Sequence, residues 1–206
     1  MSNYYVGVID DEKQNVNRIK RKAREANFEC IEVPLIDNID QMVQEIIASK
    51  VSALVVDYKL STTKPHIRYT GADLVAKLED YIENYPSFIL TAFGDNAEQE
   101  LIDVNKIYDK SDYFDDPSFL NRRIKRQIEN FNQMIKKAEI ELLELKRISD
   151  PTLKQQERII ELDSFIEKHI SKKEALSYSI KSQVYQDKID SLLEKTEKLL
   201  EEVEKL

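Results

Sequence analysis

The sequence predicts an open α/β sheet of five mostly parallel strands, wound by helices on both faces and followed by a purely helical region. Three observations predict it. Short apolar runs alternate with longer amphipathic stretches up to about residue 117. All three glycines, Gly7, Gly71 and Gly94, and four of the five prolines fall within that same part. Beyond Pro117 apolar residues recur at threes and fours, and only Pro151 interrupts them. A chain that alternates strands with helices closes best as a parallel sheet covered on both sides, whereas an unbroken helical pattern closes only against other helices.

The elements follow in order. YYVGVI (4–9) reads as a buried strand and NVNRIKRKAREANF (15–28) as a helix with Val16, Ile19, Ala23 and Ala26 near one face. CIEV (30–33) is the second strand and IDQMVQEIIA (39–48) its returning helix; SALVVD (52–57) is a third, strongly apolar strand. GADLVAKLEDYIENY (71–85) is helical with Leu74, Val75, Leu78 and Ile82 in phase, and Pro86 stops it. SFILTA (87–92) is the fourth strand, NAEQELI (96–102) a short helix and NKIYDK (105–110) the last strand.

In the second region Leu120, Ile124, Ile128, Phe131, Ile135, Ala138, Leu142 and Leu145 keep helical phase, with Asp115 or Asp116 ahead of Pro117 as the start signal. The helix is expected to reach Ile148, about 45 Å along its axis. Ser149 or Asp150 then caps a second helix through Ile170, and Ser171 with Glu174 opens a third, whose stripe includes Leu176, Ile180, Val184, Ile189, Leu192, Leu199, Val203 and Leu206. Such stripes need a partner surface, as a helical hairpin or coiled coil. The expected domains are therefore an α/β unit over 1–117 and a helical output or dimerisation region over 118–206.

Composition excludes several functions. The 206 residues carry 31 basic and 39 acidic side chains. Residues 1–117 hold 13 and 22 of these (net −9) and residues 118–206 hold 18 and 17 (net +1). The acidic balance speaks against direct nucleic-acid binding or attachment to an anionic membrane. A single cysteine, Cys30, forbids an internal disulfide or a multi-cysteine zinc site, and two histidines, His66 and His169, are too few for a three-histidine metal centre. No apolar run reaches the roughly 20 residues that span a bilayer, and MSNYYVGVIDDEKQ lacks a leader's pattern, so a cytoplasmic location is expected. Cys30 is expected to be a buried strand residue, His66 a solvent-facing loop residue and His169 a helix-end residue. The basic clusters RIKRKAR (18–24) and NRRIKR (121–126) are expected to form solvated helix faces or docking faces for acidic proteins.

Chemistry concentrates where the strands end. Asp10, Asp11 and Glu12 follow the first strand, Asp57 closes the third, Thr91 lies at the end of the fourth and Lys110 at the end of the fifth. In a doubly wound sheet those positions lie together outside the carboxyl edge. Carboxylates gathered there repel one another and favour a hard divalent cation, magnesium above all, while a facing lysine offsets charge and can meet a phosphoryl oxygen.

VGVIDDE (6–12), ALVVDYKL (53–60), GADLVAKL (71–78), SFILTA (87–92) and IYDKSDYF (107–114) resemble the receiver domain of bacterial two-component response regulators over about residues 3–117. The resemblance implies a flavodoxin-like sheet in the order 2-1-3-4-5. It also implies that Asp57 accepts a phosphoryl group from a sensor histidine kinase or phosphotransfer protein, and that Asp10 and Asp11 bind Mg2+ together with Asp57 and the backbone carbonyl of Lys59. Thr91 would be the hydroxyl that moves toward the phosphoryl oxygen, and Lys110 the lysine that contacts it. The chain would then be a phosphoacceptor with self-phosphotransfer and slow autodephosphorylation, signalling through a homodimer or a protein effector by way of its helical region. The alternative is a degenerate receiver that acts as a phosphorylation-independent scaffold or adaptor.

Departures from the family pattern fall on the signalling face. STTKPHIRYT (61–70) lengthens the loop after the acceptor by about six residues, and Ser111 replaces the proline that usually follows the lysine. The helix between Thr91 and the last strand is abbreviated, and Tyr108 is the tyrosine nearest the aromatic switch position.

Overall fold

A computed structural model describes residues 4–92 and 104–169. The helix expected over 96–102, Gly94 and everything expected beyond His169 lie outside the described residues.

Five parallel strands form one sheet in the order β2-β1-β3-β4-β5: β1 Tyr4–Ile9, β2 Phe28–Glu32, β3 Ala53–Asp57, β4 Ser87–Thr91 and β5 Ile107–Asp109. This is the flavodoxin-like order. Alternation of side chains along each strand sorts the apolar runs into two cores. Val6, Val8, Ala53, Val55, Phe88 and Leu90 face α1 (Lys13–Arg24), α4 (Lys110–Asp115) and α5 (Ser118–Leu145). Ile9, Leu54, Val56 and Ile89 face α2 (Ile39–Ala48) and α3 (Gly71–Tyr81). β3 and β4 are buried along their whole length, which explains why they read as continuous apolar runs.

Boundaries move where local chemistry overrides periodicity. The first helix ends at Arg24, and Asn27 at φ 60° turns the chain so that Phe28 begins β2 instead of extending the helix. α3 stops at Tyr81, ahead of the expected end, because Ile82 is already extended and Asn84 takes φ 60° before Pro86. Asn tolerates that left-handed conformation better than most residues. The last strand is only three residues long; a single 3-10 turn precedes it, and Lys110 opens the six-residue helix α4. Asp109 makes that helix, since its Oδ1 accepts the N–H groups of Ser111 (2.6 Å) and Asp112 (3.2 Å).

α5 begins as expected beside Pro117, with Asp116 Oδ1 accepting the Ser118 N–H at 2.9 Å. Its first turns belong to the sheet's core: Leu120, Ile124 and Ile128 are 3%, 1% and 0% exposed. Buried Asn121 pins it there, donating from Nδ2 to the Lys22 carbonyl (3.1 Å) and accepting the Tyr113 hydroxyl (3.2 Å). Phe131 adds an edge-on contact with Tyr85 at 5.8 Å. Beyond that point α5 pairs with α6 (Leu153–His169) through buried Ala138, Leu142, Leu162 and Ile166 and the Glu141–Arg158 and Lys146–Asp163 ion pairs. α6 starts two to three residues later than Ser149 or Asp150 would have it: Thr152 and Gln155 exchange hydrogen bonds at its entry. Residues through His169 form one compact unit, and α5 starts at Ser118.

Cys30 is partly buried, and burial raises its thiol pKa to about 11, leaving it protonated at neutral pH. His66 lies in the loop, exposed, 3.4 Å from Asp37. Among the described residues no helix is long and apolar enough to cross a membrane.

Candidate metal centre

β3 ends on Asp57, β4 on Thr91 and β5 on Asp109, Asp10 directly follows β1, and the register aligns those ends. Ile9 pairs with Val56, Asp57 with Leu90 and Thr91 with Asp109. The carboxyl edges of β1, β3, β4 and β5 therefore open onto one cleft, which is lined by Glu12, Asp57, Lys59, Ala92, Lys110 and Phe114 among others.

Asp10, Asp11 and Asp57 meet there, each with a carboxylate oxygen within 4.8 Å of the other two. They are 9%, 8% and 7% exposed. Lys110, from the first turn of α4, reaches back into the group: its Nζ lies 2.9 Å from Asp10 Oδ2 and 2.8 Å from Asp57 Oδ1. Burial opposes the lysine's charge, but the carboxylates of Asp57 and Asp10 outweigh it and raise the lysine pKa. For Asp57 the balance runs the other way. Burial pushes its pKa up from the ordinary 3.8 to about 6, Lys110 pulls it down, and Asp10 and Asp11 add to the rise.

Each carboxylate is held differently. Asp10 Oδ1 accepts the Glu12 N–H (2.9 Å) and the Asn15 side-chain amide (3.4 Å), so it also steadies the start of α1. Asp11 Oδ2 accepts the Thr63 N–H, and the Thr63 hydroxyl donates to the Asp11 carbonyl at 2.6 Å. Asp11 Oδ1 is buried with no hydrogen-bond partner among the described residues. An unpartnered carboxylate oxygen next to two further carboxylates, with the Lys110 ammonium paired to those two, is strongly disfavoured without a cation. The donor set is all oxygen and suits magnesium, so these residues fit the ion that the resemblance implies.

No protein-family model and no curated protein matches the chain. Solved structures do. A response regulator receiver domain protein from Clostridium thermocellum aligns at 16% identity over 64% of this chain and 98% of its own, with TM-score 0.47. The receiver domain of nitrogen regulatory protein C aligns at 17% identity over 64% and 99%, with TM-score 0.45. The anti-anti-sigma factor PhyR from Bartonella quintana aligns at 18% identity over 67% of this chain and 52% of its own, with TM-score 0.48. The chain is similar to response-regulator receiver domains.

Of the residues singled out from sequence, Asp10, Asp11, Asp57 and Lys110 are brought into direct proximity. Thr91 is 1% exposed at the end of β4, one register step beyond Leu90, the partner of Asp57. Lys59 stands exposed on the cleft wall. Sequence reasoning missed two residues. Gly71 packs so closely that a Cβ there would stand 2.1 Å from the Asp57 carbonyl oxygen, while its N–H donates to the Tyr58 carbonyl at 2.8 Å. Only glycine lets α3 seat directly on the strand end that carries Asp57. The other is Thr63, whose place inside the inserted loop gave no sign of a contact with Asp11, 52 residues away.

Proposed function

We propose that this protein is a phosphorylation-dependent signalling protein of the response-regulator type, with Asp57 as the acceptor. The observation that carries the reading is the convergence of Asp57 with Asp10, the half-satisfied Asp11 and Lys110 in one cleft. An Asp57 carboxylate oxygen attacks the phosphorus of a phosphohistidine on a sensor kinase or phosphotransfer protein. The new O–P bond forms as the P–N bond breaks, and the leaving imidazole takes up a proton. Lys110, already paired to Asp57, neutralises charge on the transferred oxygens. Asp10, Asp11, Asp57 and the Lys59 carbonyl would hold Mg2+, which would supply the remaining positive charge. The hydroxyl of Thr91, at the end of β4, is the group assigned to answer the added phosphoryl group.

The nucleophile must be ionised. Without metal, a pKa near 6 leaves Asp57 mostly a carboxylate at pH 7.5 and mostly protonated at pH 5, and a bound cation favours the carboxylate further. Phosphoramidate with Mg2+ at pH 7.5 is expected to add one acid-stable, hydroxylamine-labile phosphoryl group to Asp57, read by mass spectrometry. The rate should fall on acidification, as Asp57 takes up its proton and Mg2+ is released. No adduct at any pH would leave the scaffold reading in its place.

Output through the helical region is the second half of the proposal. Ile140, Leu143, Leu153 and Ile160 on α5 and α6 are 48%, 60%, 78% and 66% exposed, an apolar display suited to protein contacts. A homodimer built through this region is expected to show in light scattering as twice the chain mass, and to revert to monomer with Leu143→Glu and Ile160→Glu combined. A monomer at every concentration would remove the dimer and leave contact with a protein effector.

A further inference from the structure

The phosphoacceptor reading makes no use of the loop between Leu60 and Thr70, which is an addition to the family pattern. The loop is built rather than slack. Leu60, Ile67 and Tyr69 are 1%, 2% and 9% exposed in the core shared by α2 and α3. The Tyr69 hydroxyl donates to the Ile36 carbonyl at 2.5 Å, the Ile67 N–H closes a turn onto Lys64 at 3.0 Å, and Thr70 forms a capping box with Asp73 at the entry to α3. Anchored at both ends, the segment between Leu60 and Lys64 passes along the cleft. Thr62 lines the cleft with Asp57 and Lys110, and Thr63 bonds twice to Asp11.

Those two bonds act on different parts of the aspartate. The hydroxyl holds the Asp11 main chain, and the N–H occupies Oδ2. A carboxylate free to rotate about its side-chain torsions would present either oxygen, or neither, to a cation. With Oδ2 taken, Oδ1 is the oxygen left buried and unpartnered beside Asp10 and Asp57. Hydrogen bonds that orient a metal-binding carboxylate in this way are commonly worth one to two orders of magnitude in metal affinity.

We propose that the inserted loop is part of the metal site and that Thr63 is a positioning residue, fixing Asp11 so that Oδ1 faces the cation. The proposal rests on the magnesium-dependent reading above. Its test is calorimetric titration of the full chain with MgCl2, comparing wild type, Thr63→Val and Thr63→Ser. Valine keeps the shape but removes the hydroxyl anchor that holds the Thr63 N–H against Oδ2; serine restores that anchor. Thr63→Val is expected to bind Mg2+ about tenfold more weakly and Thr63→Ser to bind as the wild type does. Melting temperatures in EDTA should be alike for all three, and the rise on adding Mg2+ should shrink in Thr63→Val alone. Wild-type affinity in Thr63→Val overturns the loop's role while leaving the site reading intact. So does a weakened affinity matched by an equal loss of stability in EDTA, which would make Thr63 only a structural staple. Absence of Mg2+ binding by the wild type overturns both the loop's role and the site reading.

Discussion

A chain ending at Asp116 is expected not to fold, although the resemblance to a receiver domain ends at about that point. Truncation there removes Leu120, Ile124 and Ile128, all essentially buried against Val8, Val55, Phe88 and their neighbours. At about 1.5–3 kcal/mol for each large buried side chain, the loss is roughly 5–9 kcal/mol. That is comparable with the whole stability of an ordinary domain, about 5–15 kcal/mol. The loss of Asn121 compounds it, since the Tyr113 hydroxyl and the Lys22 carbonyl both give up a partner. We propose that the folding unit runs at least to Phe131, which closes over Tyr85. Urea unfolding followed by circular dichroism should therefore show a cooperative transition for residues 1–132 and none for residues 1–116. A cooperative transition of equal midpoint in both would show that α5 is dispensable to the sheet and would return the boundary to 117.

The stripe on α5 keeps one helical phase from Leu120 to Leu145, but periodicity reports only that a face is buried and not what covers it. The same stripe meets the sheet in its first turns and α6 in its last ones. The strands were legible because a parallel strand buried on both faces leaves an apolar run whatever its neighbours, as with ALVVD and SFILT. The ends of elements were less so. They depended on single residues in unusual geometry, such as Asn27 and Asn84 at positive φ, and on the Asp109 cap that turned an expected strand end into α4. In the site, Asp10, Asp11 and Asp57 were visible because they follow or close apolar runs, and Lys110 because it stands in the matched motif IYDKSDYF. Thr63 and Gly71 were not, because one acts through a contact 52 residues distant and the other through the absence of a side chain.

Replacing Asp57 by asparagine is expected to make the metal-free protein more stable, even though it removes the residue on which the proposed function turns. The sign follows from the proton balance. Burial, chiefly, and the neighbouring Asp10 and Asp11 raise the Asp57 pKa from 3.8 to about 6 despite Lys110. The folded state therefore binds this proton more tightly than the unfolded state does. The stability contributed by the protonated acid is complete below about pH 4, declines as pH rises toward 6, and is gone above that. At about 1.4 kcal/mol for each tenfold change, the ionised carboxylate costs the metal-free fold up to about 3 kcal/mol at pH 7.5. Asparagine keeps the shape and carries no charge to desolvate, so Asp57→Asn should gain about 1–3 kcal/mol in EDTA at pH 7.5, and the gain should vanish near pH 4. Mg2+ should reverse the order, because the wild type alone offers the third carboxylate and so draws more binding free energy from the ion. Chemical denaturation at the two pH values, each with EDTA and with MgCl2, separates these cases. An Asp57→Asn protein less stable than wild type in EDTA at pH 7.5 would mean that the Lys110 pair outweighs burial, and that the cleft is balanced without a cation.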